Sequence, residues 1–99
     1  SAIFFFLEVN PNNSRRPIEK VRLQFQYLQF KYFQSKPFHK YEKIKENPDK
    51  TVEIEMELRP NYELTRKIVS MGNGVKVLQP ASLVEKVKEY LQDALAQYK

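Results

Sequence analysis

Strict alternation of apolar and polar residues marks the first strand that the sequence predicts. Val21, Leu23 and Phe25 take every second position, with charged or amide side chains between them. A period of two places successive side chains on opposite faces of a sheet, so one face is buried and the other is exposed to solvent. The alternation ends after Phe25, and a short helix fits the apolar residues that follow: Tyr27, Leu28, Phe30 and Phe33. This helix must end before Lys36-Pro37, because proline biases its predecessor away from helical backbone.

A β-hairpin is predicted around Asn47-Pro48-Asp49-Lys50, a cluster of turn-forming residues. Residues 41–46 and 51–59 flank it, and the second stretch alternates valine, isoleucine, methionine and leucine with glutamates. A register with Ile44 opposite Ile54 buries both side chains. The same register sets Lys45 opposite Glu53 and Lys43 opposite Glu55, which are attractive pairs.

The remaining pattern predicts a helix, a short strand and a second, longer helix. Asn61 is a good N-cap for the first helix, and Gly72 ends it. A strand over residues 75–78 is closed by Pro80. The last helix carries one broad apolar stripe: Leu83, Val84, Val87, Tyr90, Leu91, Ala94, Leu95 and Tyr98.

The order of elements from residue 19 is strand, helix, strand, strand, helix, strand, helix. We therefore predict an α+β, ferredoxin-like βαββαβ fold, a four-stranded antiparallel sheet with an extra C-terminal helix. The first and third strands are central neighbours in this fold. Their outward residues would form a lattice of opposite charges: Lys20, Arg22 and Gln24 beside Glu53, Glu55 and Glu57.

The first seventeen residues are expected to be a strand and linker from a preceding domain, with residues 18–99 as the domain proper. Residues 3–9 are β-prone, and residues 10–17 form a polar connector. The apolar run from Ile3 to Leu7 is too short for a membrane span and lacks the flanks of a signal peptide, so no membrane contact is expected. We read the chain as a fragment of a longer protein, in which this run pairs with a partner chain.

The positive charge of the chain is concentrated in one segment. The net charge is +5, and residues 15–50 alone carry ten Lys or Arg against four Asp or Glu. Basic residues interleaved with aromatic ones are typical of single-strand binders, but the six outward sheet positions are not aromatic. Phosphate contacts would then fall to Arg15, Arg16, Lys31, Lys36 and Lys40, against the alternative of a merely solvated basic surface.

The residues available for catalysis are few. There is no cysteine, which excludes disulfides and thiolate metal sites, and His39 is the single histidine. We expect His39 to make a structural hydrogen bond or a partner contact, and the alternating glutamates of residues 53–57 to form a salt-bridged face. No catalytic residue, metal site or cofactor is predicted, so an enzyme is the least favoured class.

Several stretches together resemble a known family: EKVRLQF, KPFH, RPNYELTRKIVSMGNGVKVLQP and PASLVEKVKEYLQDALAQY. Residues 18–99 are similar to the C-terminal extension, or WCX domain, of bacterial WYL-domain transcriptional regulators. The resemblance implies a cytoplasmic regulator with a winged helix-turn-helix that reads DNA, a ligand-sensing WYL domain and this tail, which is associated with dimerisation.

The resemblance implies a non-catalytic regulatory and dimerisation domain. Its expected partners are a second copy of the chain and the regulator's own WYL and helix-turn-helix domains, with DNA bound through those other parts. The segment that matches the family and is expected to approach a neighbouring domain or an effector is Lys36, Pro37, Phe38 and His39, with Lys40 beside it. A nucleic-acid-binding module and a small-molecule-sensing module remain the alternatives.

Overall fold

The computed structural model describes residues 17–98. Its strands are β1 Glu19–Phe25, β2 Glu42–Glu46, β3 Val52–Leu58 and β4 Val75–Gln79. Its helices are α1 Tyr27–Ser35, α2 Tyr62–Ser70 and α3 Ala81–Ala96. The predicted α+β order, with a helix added after the βαββαβ unit, is confirmed. The predicted strand at 3–9 and most of the connector lie outside the described residues.

The sheet is antiparallel, in the order β2-β3-β1-β4, so β1 and β3 are its central strands. Their register places Arg22 opposite Glu55 and Gln24 opposite Glu53, and Lys20 lies opposite Glu57. Arg22 Nε donates a hydrogen bond of 3.0 Å to Glu55 Oε2. The predicted lattice of opposite charges on the open face of the sheet is therefore confirmed.

The register of the β2–β3 hairpin differs in part from the prediction. Lys45 lies opposite Glu53 as expected, and their charged atoms are 3.6 Å apart. A bulge between Lys43 and Lys45, however, places Lys43 opposite Ile54 and Glu42 opposite Glu55. The predicted Ile44–Ile54 and Lys43–Glu55 pairs are therefore wrong. The extra residue of a bulge has no partner across the ladder, and Ile44 keeps 37% of its surface exposed.

The hairpin turn is held by a carboxylate. Oδ1 of Asp49 accepts hydrogen bonds from the hydroxyl and the backbone N–H of Thr51, at 2.6 and 3.0 Å. The Thr51 hydroxyl also accepts from Asn47 Nδ2 at 2.9 Å and from Gln24 Nε2 at 3.0 Å. The turn is thereby connected to the central strand β1.

Replacement of Asp49 by asparagine is expected to weaken the pH dependence of stability on the acid side. The side-chain and backbone hydrogen bonds from Thr51 hold the pKa of the Asp49 carboxyl below its usual value. Such a carboxyl contributes stability that is complete above its unfolded-state pKa of about 4 and is lost as the pH falls through the lowered folded-state pKa. Urea unfolding from about pH 6 to about pH 2 measures this slope. Identical acid limbs for the two proteins would contradict the expectation.

The core lies between the helices and one face of the sheet. Val21, Leu23 and Phe25 from β1 are completely buried, as the alternation predicts. Aromatic rings from α1 and the following loop extend this core. Phe33 stacks on Phe25 with ring centroids 4.8 Å apart, and Tyr41 lies at the same distance from Phe33.

Helix α2 begins and ends where the sequence predicts. Asn61 Oδ1 accepts a 2.8 Å hydrogen bond from the backbone N–H of Leu64, which caps the helix N-terminus. Ser70 is its last residue, and Gly72 then adopts a φ of 58°, a left-handed conformation that glycine takes without steric cost. Leu64 and Ile68 point into the core.

Helix α3 buries less of its apolar stripe than its sequence pattern suggests. It packs against α2 and β4 through Leu83, which is 3% exposed, with Val84 and Val87 partly buried. Farther along, Leu91 and Leu95 are 50% and 58% exposed, and Tyr98 beyond the helix end is 90% exposed. We call these last three residues the α3 stripe. It is an apolar surface that the described part of the chain leaves uncovered.

Candidate functional site

The segment predicted to approach a partner, residues 36–40, connects α1 to β2. Phe38 and His39 are buried at 4% and 2% exposure, and Pro37 is half-buried. Lys36 and Lys40 are exposed. The structure therefore divides the segment into an inner pair of side chains and an outer pair of cations.

The inner pair fixes the segment to the domain. The Phe38 ring meets Phe33 edge-to-face at 5.2 Å, and Lys67 Nζ lies 5.9 Å from the Phe38 ring centroid. His39 Nδ1 is 2.8 Å from the backbone carbonyl oxygen of Lys40. A histidine with this burial and a backbone partner is suited to positioning the loop. A partner-contact role for the segment remains a prediction, and within it Lys36 and Lys40 are the accessible groups.

A cleft of about 620 Å³ lies beside this segment, at the border of the open sheet face. Its lining residues are Pro37, His39, Lys40, Tyr41, Glu42, Glu55 and Glu57. Glu55 is already paired with Arg22. Within residues 17–98 no group of three or more histidine, aspartate or glutamate side chains is arranged to hold a metal ion.

The residues predicted to contact phosphate are only partly described. Arg15 and Arg16 lie outside the described residues. Lys31 is exposed on α1, with its Nζ 5.5 Å from the Tyr27 ring centroid. The charged register of β1 and β3 leaves no aromatic ring at the six outward positions of the central strands. Base stacking, on which ferredoxin-like RNA binders depend, has no platform at these positions.

A groove between α2 and α3 was not predicted from the sequence. It has a volume of about 470 Å³, and its walls come from the chain around Pro17, the start of α2 and one side of α3. Asn61 lines it and is 7% exposed, and Asn61 Nδ2 is buried without a hydrogen-bond partner. The only signal in the sequence is Tyr62, a large aromatic residue at the first position of α2, where the core does not need one; it is 61% exposed.

In the described part of the chain, no helix combines the length and the apolar character needed to cross a membrane.

Comparison with known proteins assigns the chain to a family. The search of curated proteins returns no match to this chain. The family model described as WCX domain matches residues 17–95, which includes every strand, helices α1 and α2, and all of α3 except its last residue. The chain therefore belongs to the WCX domain family.

Proposed function

We propose that this chain is the regulatory and dimerisation domain of a DNA-binding transcriptional regulator with a ligand-sensing WYL domain, and that it is not a catalyst. Membership of the WCX family supports a regulatory role. The resemblance to the tails of WYL-domain regulators supports the wider context. In this proposal the domain works in the cytoplasm, and other parts of the regulator read the DNA.

The observation that carries the dimerisation role is the α3 stripe. Leu91 and Leu95 are four residues apart and lie on one side of α3, and Tyr98 follows three residues later, just beyond the helix end. Their exposed fractions lie between 50% and 90%. Apolar side chains in a contiguous exposed patch favour burial against a partner. A second copy that presents the same stripe would cover it in a self-complementary helix pair.

Sedimentation of the chain over a range of concentrations tests this role. We expect a monomer–dimer equilibrium, and we expect Leu95→Glu to shift it to monomer because a carboxylate would be buried at the contact. Ala96→Glu introduces the same charge at an exposed position of α3 that adjoins Leu95 in sequence but lies on a different side of the helix, and it should leave the equilibrium unchanged. A strict monomer at high concentration, or equal behaviour of the two variants, would count against dimerisation through this helix.

The nucleic-acid alternative has its own test. Lys31, Lys36 and Lys40 are exposed, so phosphate contacts are sterically open to them. Binding of a short single strand through these cations would weaken steeply with salt, because each phosphate contact releases a condensed counterion. Absence of binding at low salt would contradict the nucleic-acid alternative.

A further inference from the structure

The groove between α2 and α3 is lined by a residue that carries a hydrogen-bond donor the fold itself does not use. Asn61 employs its side-chain oxygen to cap α2 by accepting from Leu64 N–H at 2.8 Å. Its Nδ2 atom is buried and unpaired, and the residue as a whole is 7% exposed. A buried donor without an acceptor carries an uncompensated desolvation penalty. A ligand that brings an acceptor into the groove would remove this penalty.

The walls of the groove are mostly apolar and lie along one side of α3. Leu83 and Tyr90 contribute from α3, Tyr62 from α2, and Pro17 and Pro60 from the segments beside them. The Tyr62 and Tyr90 rings are 6.3 Å apart and form one continuous aromatic wall. Such a surface suits hydrocarbon or aromatic side chains of a ligand.

The charges along the groove are mainly negative. Its described lining contains the carboxylates of Glu19, Glu89 and Asp93 and the single ammonium of Lys86. Within residues 17–98, neither Glu89 nor Asp93 belongs to an ion pair. The complementary ligand is therefore cationic.

We propose that this groove binds an extended peptide segment in which arginine or lysine alternates with apolar side chains. A backbone carbonyl of the peptide accepts from Asn61 Nδ2, its apolar side chains lie on the Tyr62–Tyr90 wall, and its cations face Glu89 and Asp93. A polyamine would supply cations without an acceptor. A nucleic acid or a carboxylate metabolite would be repelled by the acidic lining. The peptide supplies acceptor, apolar surface and positive charge together.

The length of the groove sets the length of the peptide. Groove residues on α3 extend from Ser82 to Asp93. At a helical rise of 1.5 Å per residue this distance is about 16 Å, which an extended chain of about five residues spans. The site lies on a different side of α3 from Leu91 and Leu95, which do not line it. It is therefore independent of the proposed dimer contact.

Titration of the ¹⁵N-labelled 99-residue chain with a capped pentapeptide, Leu-Arg-Phe-Arg-Leu, tests the proposal by ¹H–¹⁵N spectra. We expect saturable shifts at the start of α2 and along residues 82–93. The same peptide with glutamate in place of arginine should not bind. Absence of saturable shifts, shifts on the open sheet face instead, or equal binding of the acidic peptide would overturn the proposal. Groove shifts that follow dilution of the protein without peptide would assign the groove to a second copy.

Substitutions distinguish the hydrogen bond from Asn61 from the ionic contacts with Glu89 and Asp93. Asn61→Ser keeps an N-capping oxygen but removes Nδ2, and it should weaken peptide binding about five-fold. Glu89→Gln combined with Asp93→Asn should weaken binding by about five-fold at low salt, with little effect on folding. The matched control is Glu85→Gln, an exposed carboxylate of α3 that does not line the groove and that should leave the affinity unchanged. Equal affinities for all of these proteins would overturn the proposed contacts.

Discussion

Replacement of Phe33 by alanine lowers the free energy of unfolding by about 3–5 kcal/mol, the cost that removal of a buried phenyl ring usually carries. Phe33 is 2% exposed and lies at the centre of the aromatic part of the core. Its ring contacts those of Phe25, Phe38 and Tyr41 at centroid distances of 4.8, 5.2 and 4.8 Å. Since small domains are stable by about 5–15 kcal/mol, this loss removes a large part of the stability, and the variant should unfold at a much lower urea concentration.

Urea unfolding followed by circular dichroism and tyrosine fluorescence measures this loss. The matched control is Tyr32→Ala, the preceding residue of α1, whose side chain is 65% exposed. We expect the control to change stability by less than about 0.5 kcal/mol, as is usual for surface positions. Similar losses for the two variants would show that the ring cluster around Phe33 does not hold α1 and the 36–40 segment to the sheet.

Replacement of Leu83 by alanine is expected to loosen helix α3 selectively, at a cost of about 2–5 kcal/mol. Leu83 is 3% exposed and is the single fully buried residue among those described in α3. Val84 and Val87, which support it, are only partly buried. The sheet and α1 do not depend on Leu83 for their own pairing or ring contacts. Loss of this side chain should therefore permit α3 to open before the rest of the domain unfolds.

Hydrogen exchange resolves this effect by position. Amides of α3 should lose protection in Leu83→Ala while those of β1 and β3 keep most of theirs. The control is Leu91→Ala, the same chemical change in the same helix at a position 50% exposed, measured at low protein concentration so that self-association does not contribute. Uniform loss of protection throughout the domain, or equal effects of the two changes, would contradict the expectation.

The strands and caps could be predicted because their signals are local. The alternation of Val21, Leu23 and Phe25 determines a buried face for β1, and Asn61 and Gly72 determine the ends of α2 through backbone hydrogen bonding and φ. The charge lattice followed from the alternation within the two strands together with the order of elements. The β2 register was predicted only in part, because no residue in that strand signals a bulge. By residue type alone, Ile44 cannot be distinguished from an inward-facing residue. In the structure the register shifts between Lys43 and Lys45, and Lys43 Nζ donates a 2.6 Å hydrogen bond to Glu46 Oε1 on its own strand.

The surfaces were less predictable than the fold. An apolar stripe over the whole of α3 indicates one amphipathic helix. It does not show at which residue burial against the core ends and side chains such as Leu91 become exposed. The groove combines Pro17, Asn61 and Tyr90 from three distant parts of the chain. No spacing rule connects such positions, and the unpaired Asn61 Nδ2 becomes visible only when its surroundings are known. The 36–40 segment was recognised by resemblance, while its division into buried and exposed members came from the structure.

The bulge in β2 also bears on aggregation. Strand β2 lies at one edge of the sheet and all five of its residues are exposed, so its outer backbone groups could template another strand. The interruption between Lys43 and Lys45 and the charged residues at four of the five positions of β2 make this edge irregular and charged. The opposite edge, β4, is also only five residues long and is followed by Pro80, which has no N–H to donate. Sheet extension and amyloid-like stacking through these two edges are thereby disfavoured, which is compatible with the proposed contact through helix α3.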